Sequence, residues 1–148
     1  MSSADALPYA TTLLVRDHCL CLHVQRAARV LARRFDEAFR PLGLTNGQFS
    51  LLMSLNRPEP PAMGPVAALL AMDRTTLTAA LKSLERRGLV RIRQDRDDRR
   101  ARALILTAKG KNLLARAAPI WEHTHAEIER SLYGVKLDEM RAGLIALS

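Results

Sequence analysis

A short run of the sequence brings together two thiols and two imidazoles, side chains that are often used for redox and metal chemistry. The run is His18-Cys19-Leu20-Cys21-Leu22-His23. A thiolate can react with an oxidant, and thiolates and imidazoles together ligate metal ions such as zinc. Cysteine is also common in hydrophobic cores, where it behaves as a small apolar residue. The run therefore leaves three interpretations open: a redox sensor, a metal site and a structural element of a core.

Helical spacing limits the metal interpretation. His18 and Cys21 are three residues apart, and Cys19 and His23 are four apart, so each pair shares a helical face. The two faces point in different directions, so one helix supplies at most two ligands to one ion. The other two histidines of the chain are two residues apart and diverge on a helix. We therefore expect no metal and no cofactor.

The second chemical feature is a concentration of arginine in one segment. The 148-residue chain has 23 basic and 15 acidic residues and a formal net charge of +8. Residues 74–102 contain ten basic and four acidic residues, a net +6. Nine of the ten are arginine, whose planar guanidinium matches phosphate groups and guanine edges. A solvated basic surface is one interpretation, and binding to a polyanion, either nucleic acid or an anionic membrane surface, is the other.

Composition and spacing exclude several classes of protein. No apolar stretch is long enough to cross a bilayer, and residues 1–11 lack the basic start and apolar centre of a signal peptide. Two cysteines one residue apart cannot form the disulfide framework of a secreted protein. No glycine-rich phosphate loop or pair of catalytic carboxylates indicates an enzyme. We expect a soluble, cytoplasmic, non-enzymatic protein with no membrane partner.

Hydrophobic spacing predicts a mainly helical chain after a flexible arm at residues 1–11. Apolar residues recur at steps of three and four along residues 20–38, and Pro41 and Gly43 end this first helix. Thr45 is a suitable N-cap for a second helix. The remaining predicted elements are a proline-rich linker at 57–61, helices at 66–71 and 74–87, strands at 89–93 and 101–106, and two last helices that begin after Thr107 and after Gly134.

A helix, a tight turn, a second helix and a hairpin follow one another in the order of a winged helix-turn-helix. The predicted fold is therefore α+β, mainly α-helical, with the β-hairpin as a small wing. In this motif the second helix enters the major groove of DNA while flanking groups hold phosphates. Asp73 caps that helix, and Ala71 occupies the turn position that often holds glycine. On and around this helix, the residues predicted to contact DNA are Arg74, Thr75, Thr76, Thr78, Lys82 and Arg86.

Four ordered motifs in this region resemble the MarR (multiple-antibiotic-resistance regulator) family. They are Asp73-Arg74-Thr75-Thr76-Leu77-Thr78, Leu84-Glu85-Arg86-Arg87-Gly88-Leu89-Val90, Asp97-Asp98-Arg99-Arg100-Ala101 and Leu106-Thr107-Ala108-Lys109-Gly110. Gly43-Leu44-Thr45 before Gln48-Phe49 also matches the opening of the second helix of that family. The resemblance covers roughly residues 12 to 147.

The resemblance implies a homodimer that binds a pseudo-palindromic operator in double-stranded DNA and regulates transcription, most often as a repressor. Residues 12–44 and 108–148 are then the helical dimerisation region, and residues 45–107 are the winged helix-turn-helix. Asp98 and Arg100 match the wing acid and arginine of the family, in which the arginine enters the minor groove and the acid orients it. Arg96 or Arg99 is the alternative minor-groove arginine.

The resemblance also implies a signal that releases the DNA. In many family members this signal is a small organic ligand, often an aromatic acid. Candidate residues for the signal lie on the first helix: Arg16, His18, Cys19, Cys21, His23 and Arg26.

The alternative signal is an oxidant acting on Cys21 or Cys19. Cys21 falls where the organic-hydroperoxide-sensing branch of the family places its reactive cysteine. The positions of the supporting tyrosines in that branch hold Phe35 and Asn46 here. A more distant alternative for the whole chain is a non-specific basic protein that binds nucleic acids.

Overall fold

The computed structural model describes residues 6–148, which form seven helices, one 3₁₀ turn and one two-stranded sheet. The described residues divide into two compact units, one that ends at Arg34 and one that comprises residues 35–148. In chain order the elements are α1 (Tyr9–His18), α2 (Leu20–Phe39), the 3₁₀ turn (Arg40–Leu42), α3 (Asn46–Leu55), α4 (Met63–Leu70), α5 (Arg74–Arg86), β1 (Val90–Gln94), β2 (Arg102–Leu106), α6 (Ala108–Ser131) and α7 (Leu137–Ala146). The mainly α-helical α+β prediction is confirmed.

The start of the first helix corrects the sequence prediction. Residues 1–11 were expected to form a flexible arm, but α1 begins at Tyr9. Pro8 occupies the N-cap with φ −59°, and a proline ring favours the first turn of a helix because its missing N–H needs no partner there. Residues 1–5 of the predicted arm lie outside the described residues.

A break at Cys19 separates α1 from α2, where the sequence indicated one continuous helix. Cys19 has extended backbone angles (φ −69°, ψ 109°), and its carbonyl accepts the backbone N–H of His23 at 3.1 Å. The His23 ring nitrogen Nδ1 also lies 2.7 Å from that carbonyl. No proline or glycine marks the break, so the sequence contains no signal for it. His18 and Cys21 consequently lie on different helices and do not share the helical face that their spacing predicted.

The second unit has one hydrophobic core, to which α3 to α6 and the hairpin contribute. Its most deeply buried side chains include Phe39, Leu52, Leu77 and Leu104. The rings of Phe39 and Phe49 stack with their centroids 4.6 Å apart. This core holds the helix-turn-helix and the hairpin as parts of one body.

Two sets of hydrogen bonds stabilise the start of α3. The predicted N-cap Thr45 is confirmed, because its side chain accepts the Gln48 N–H and the Gln48 side chain accepts the Thr45 N–H. In addition, one Asp36 carboxylate oxygen accepts the backbone N–H of Asn46 at 2.7 Å and its side-chain amide at 2.8 Å. These two bonds lower the pKa of Asp36, because they favour the charged carboxylate.

The tight turn between α4 and α5 is made by Ala71, which adopts the left-handed conformation with φ +50°. The N–H of Met72 reaches back to the carbonyl of Ala67 at 2.9 Å and closes the turn. A left-handed alanine costs on the order of 1 kcal/mol because its Cβ approaches the neighbouring carbonyl. The packing of α4 and α5 into the core must offset that cost.

The hairpin is antiparallel, with Val90 opposite Leu106 and Gln94 opposite Arg102. Its strands lie within one residue of the predicted ranges. The outer edge of β2 is also held, because the Leu104 N–H donates to the carbonyl of Pro61 at 2.9 Å. The proline-rich linker therefore forms a short brace against the base of the wing.

Gly110, in the first turn of α6, lies against the chain that leads into β1. A Cβ at this position would be 2.2 Å from the carbonyl oxygen of Leu89. Gly110→Ala should therefore reduce the free energy of unfolding by about 1–3 kcal/mol, measured by urea denaturation. Gly47→Ala in α3 is the control, since no atom lies within 4 Å of its added Cβ. That variant should be neutral or gain up to about 1 kcal/mol, and an equal loss in both would contradict the proposed close approach.

Candidate nucleic-acid interface

Asp73 is the N-cap of α5, the helix expected to contact the bases of DNA. Its carboxylate accepts the backbone N–H of Thr76 at 2.7 Å and the hydroxyl of the same residue at 2.9 Å. These bonds lower the pKa of Asp73 from its usual value of 3.8. Thr76 is exposed, but its hydroxyl proton is already used in the cap, so towards DNA this oxygen can only accept.

The two faces of α5 have opposite characters. Leu77, Leu81 and Leu84 are 0% exposed and anchor the helix in the core. At 100° per residue, the side chains opposite this face are those of Thr75, Ala79, Lys82 and Arg86. The buried face therefore turns a polar and basic face outward.

A shallow cleft of about 410 Å³ lies on the outer side of α5. The cleft is lined by four of the predicted residues, Arg74, Thr75, Thr78 and Lys82. Ala79 also lines it and was not predicted from the sequence. The position of Ala79, four residues after Thr75, is the signal that could have found it. Its small side chain leaves space between the longer neighbours.

The wing tip is an exposed polar turn at residues 95–100. The Asp98 carboxylate accepts the backbone N–H of Arg100 at 2.9 Å, and Asp95 accepts the N–H of Asp97 at 2.9 Å. The contact between Asp98 and Arg100 thus runs to the backbone and shapes the turn, leaving the Arg100 guanidinium exposed. The carbonyl of Arg99 accepts the Gln94 side-chain amide at 2.6 Å, which ties the tip to β1.

The ten basic residues of segment 74–102 are a cationic surface without internal neutralisation. Nine of them are exposed, and Arg87 is half-buried. The ion pairs found in residues 6–148 lie elsewhere, for example Arg40 with Glu37 and Lys136 with Glu139. None of these pairs includes one of the ten. The charge is therefore available to an external polyanion.

The sequence and the fold are both similar to those of known transcriptional regulators. The MarR family model matches residues 44–101. The TtmR transcriptional regulator of Methylorubrum extorquens is 33% identical over 126 residues, which are 85% of this chain and 62% of that protein. The structure of the M. tuberculosis transcriptional regulator MosR in complex with DNA is 38% identical and superposes with a TM-score of 0.79, covering 88% of this chain and 93% of that one. The chain belongs to the MarR family.

A second DNA complex is also similar. The transcriptional repressor CouR, bound to a 23-mer DNA duplex, is 29% identical with a TM-score of 0.73, covering 90% of this chain and 92% of that one. The chain spans only 62 to 65% of the length of the curated relatives that it matches.

No helix within residues 6–148 is long and apolar enough to cross a membrane.

The structure also contains a contact between α5 and the wing that the sequence did not reveal. The carboxylate of Glu85 accepts the backbone N–H of Ile92 at 3.0 Å. Ile92 lies on β1, so the helix expected to read DNA is joined directly to the wing. Glu85 belongs to one of the family motifs, but its partner lies seven residues away in a different element. Spacing alone gave no reason to pair them.

The candidate signal residues lie on α1, on α2 and at the break between them. Arg16 pairs with Asp17 at 2.6 Å, and this carboxylate raises the pKa of Arg16. Cys21 is exposed and accepts the side-chain amide of Gln25 on sulfur at 3.2 Å, while Cys19 is half-buried. His18, His23 and Arg26 are exposed. In residues 6–148 no three metal-ligating side chains come close enough to hold an ion.

The cap of α5 predicts a pH dependence of stability. Because bonds to Thr76 lower the folded-state pKa of Asp73, its contribution is complete above the pKa of the unfolded chain and is lost as the pH falls through the lower folded value. In Asp73→Asn the amide still caps the helix but does not titrate. The Tm advantage of the wild type should be constant from about pH 7 to 5 and shrink below about pH 3.8. A difference that stays constant to about pH 2 would contradict this account.

Proposed function

We propose that this protein is a dimeric, sequence-specific DNA-binding transcriptional regulator that acts as a repressor. The observation that carries the proposal is the unneutralised cationic surface on α5 and the wing, in a fold whose relatives MosR and CouR have been solved bound to DNA. CouR is itself named a transcriptional repressor. A basic surface alone supports any nucleic-acid binding, but its placement on a helix and a wing favours recognition of a duplex.

Each part of the surface has a distinct task in this proposal. The N-terminal half of α5 enters the major groove, where Arg74 meets guanine edges and Thr75 and Thr78 meet bases or phosphates. Lys82 and Arg86, further along the helix, hold the phosphate backbone. The exposed Arg100 enters the narrow minor groove, whose negative potential attracts guanidinium groups.

Dimerisation follows from the need for two copies of this surface. One winged helix covers a single half-site, and a two-fold dimer reads two half-sites arranged as a pseudo-palindrome. The last helix supports this part of the proposal, because Met140, Leu144 and Leu147 are 40%, 46% and 63% exposed on one helical face. Such a face is suited to a second copy of the chain.

The DNA-binding roles can be tested with three arginine variants. Arg74→Ala and Arg100→Ala should each weaken binding to the promoter operator by about 1–3 kcal/mol, measured by fluorescence anisotropy at fixed salt. Arg130→Ala is the control, because Arg130 is an exposed arginine in the last turn of α6, outside the proposed interface. Binding should survive random-sequence competitor DNA and weaken steeply with salt.

Two results would overturn the assignment. Equal operator affinity in Arg74→Ala, Arg100→Ala and the wild type would remove the groove contacts. Equal affinity of the wild type for operator and random duplex would instead indicate a non-specific basic binder.

A signal is expected to release the dimer from its operator. In the first form of this proposal a small organic ligand favours a dimer geometry that does not fit the operator. In the second form an oxidant acts on a cysteine, and the exposure of Cys21 favours this form. An accessible thiolate can attack a peroxide O–O bond, giving a sulfenic acid and releasing water or an alcohol.

The thiol form is tested by single-cysteine variants. In Cys21→Ser, release of operator DNA by cumene hydroperoxide should be lost. Cys19→Ser is the matched comparison, and because Cys19 is half-buried this variant should still release the DNA. Release is followed by anisotropy and the oxidised state by mass spectrometry. Unchanged release in Cys21→Ser would assign sensing to Cys19 or to a ligand.

A further inference from the structure

The hairpin is held on both of its outer edges at one pair of opposite residues, Ile92 on β1 and Leu104 on β2. A two-stranded sheet leaves one edge of each strand without a partner strand, so the N–H groups on these edges need other acceptors. The Ile92 N–H donates to the Glu85 carboxylate at 3.0 Å, and the Leu104 N–H donates to the Pro61 carbonyl at 2.9 Å. The base of the wing is therefore joined to α5 on one side and to the linker on the other.

The wing leaves the core just beyond this pair. Leu104 is 0% exposed, Ile92 is partly buried and packs against the core, and residues 93–100 are all exposed. On the linker side, a bridge between Ala62 and Ala103 adds to the hold on β2. Among the hydrogen bonds observed in residues 6–148, only the one from Ile92 to Glu85 joins β1 to α5. The angle between α5 and the wing therefore depends on that bond.

The charge of Glu85 does not by itself suit its place on this surface. Glu85 is exposed and follows Lys82 on a helix that carries basic side chains, yet it enters none of the ion pairs observed in the part of the chain that the structure describes. A carboxylate next to a bound polyanion repels it. The bond to the main chain of β1 is the contribution that compensates for this repulsion.

We propose that Glu85 is a positioning residue for operator recognition, a role that rests on the proposed function. Its bond to Ile92 holds the wing at the angle at which Arg100 reaches the minor groove while Arg74 contacts the adjacent major groove. Arg100 lies four residues from Leu104 towards the tip, roughly 13 Å at the rise of a strand. A tilt of about 15° at the base moves it by about 3 Å, half of the roughly 6 Å width of the minor groove.

The sign of the affinity change separates positioning from charge. Glu85→Ala should weaken operator binding by about fivefold or more, because the wing loses its fixed angle, although the substitution removes a negative charge. Asp97→Ala removes an equal charge from the wing tip, where the Asp97 carboxylate makes no hydrogen bond observed within residues 6–148. This control should bind the operator as tightly as the wild type or more tightly. Glu85→Gln keeps an acceptor oxygen and should recover most of the affinity.

A double-mutant cycle tests whether Glu85 acts through the wing. Substitutions at distant sites without shared partners usually have additive effects on the free energy of binding. In the Glu85→Ala background, Arg100→Ala should lose most of its effect, because the wing no longer delivers this arginine to the groove. Arg74→Ala is the matched comparison, since it lies at the other end of α5, and it should keep its full effect in both backgrounds.

Amide hydrogen exchange tests the bond on the full chain without DNA. In Glu85→Ala the Ile92 amide should exchange at least about fivefold faster than in the wild type, because its acceptor is lost. The Leu104 amide, whose acceptor is the Pro61 carbonyl, should keep its rate and serves as the internal control. The variant should remain folded, because Glu85 is exposed and alanine is a good helix former.

Four results would overturn the proposal: operator affinity in Glu85→Ala equal to or above that of the wild type, no recovery in Glu85→Gln, equal effects of Arg100→Ala in both backgrounds, or an unchanged exchange rate at Ile92. Each of them leaves the proposed function intact as long as the wild type binds its operator specifically. If the wild type binds no operator, the proposed function fails and the role of Glu85 fails with it. The exchange rates then still decide whether the bond holds the wing.

Discussion

Three consecutive carbonyl groups at the end of α5 are held by the first residues of α6, and the arrangement of the second unit depends on this junction. The Arg87 carbonyl accepts the Lys109 ammonium at 2.9 Å, and the Gly88 carbonyl accepts the Thr107 hydroxyl at 2.7 Å. The Leu89 carbonyl accepts the Thr107 backbone N–H at 3.1 Å. Carbonyls at a helix C-terminus lack partners within the helix, so these bonds satisfy groups that would otherwise need water.

The same junction explains two motifs of the MarR family in physical terms. Gly88 adopts φ +74°, which a residue with a side chain reaches only with strain, and so the chain can turn from α5 into β1. Thr107 also accepts the N–H of Gly110 at 3.0 Å and caps α6. One hydroxyl thus begins a helix and fastens the end of another. The junction therefore holds the end of α5 against the first turn of α6.

Packing and charge together determine the proposed DNA-binding surface. Because the leucine face of α5 is buried, its polar and basic face is exposed to solvent. The backbone N–H of Ile92 donates to the Glu85 carboxylate and holds the wing close to that helix. Segment 74–102 also contains four acidic residues, and three of them, like Asp73 just before the segment, accept backbone N–H groups with their carboxylates. Asp73, Glu85 and Asp98 each accept a main-chain donor. The carboxylates therefore stabilise the local backbone conformation, and the arginine side chains of the segment are left without ion pairs within the described residues.

The sequence by itself determined the order of the elements from α3 onward, the caps at Thr45, Asp73 and Thr107 and the position of the turn at Ala71, because each depends on residues close together in the chain. It also located the basic segment and the residues on the outer side of α5, since helical period alone assigns a face. Only the tertiary structure decided that Glu85 meets Ile92, that Pro61 meets Leu104 and that Ala79 lines the cleft. Nor did local pattern reveal the break at Cys19, where no helix-breaking residue stands. Contacts between elements depend on how the core packs, and that packing is set by the whole unit rather than by any local run of residues.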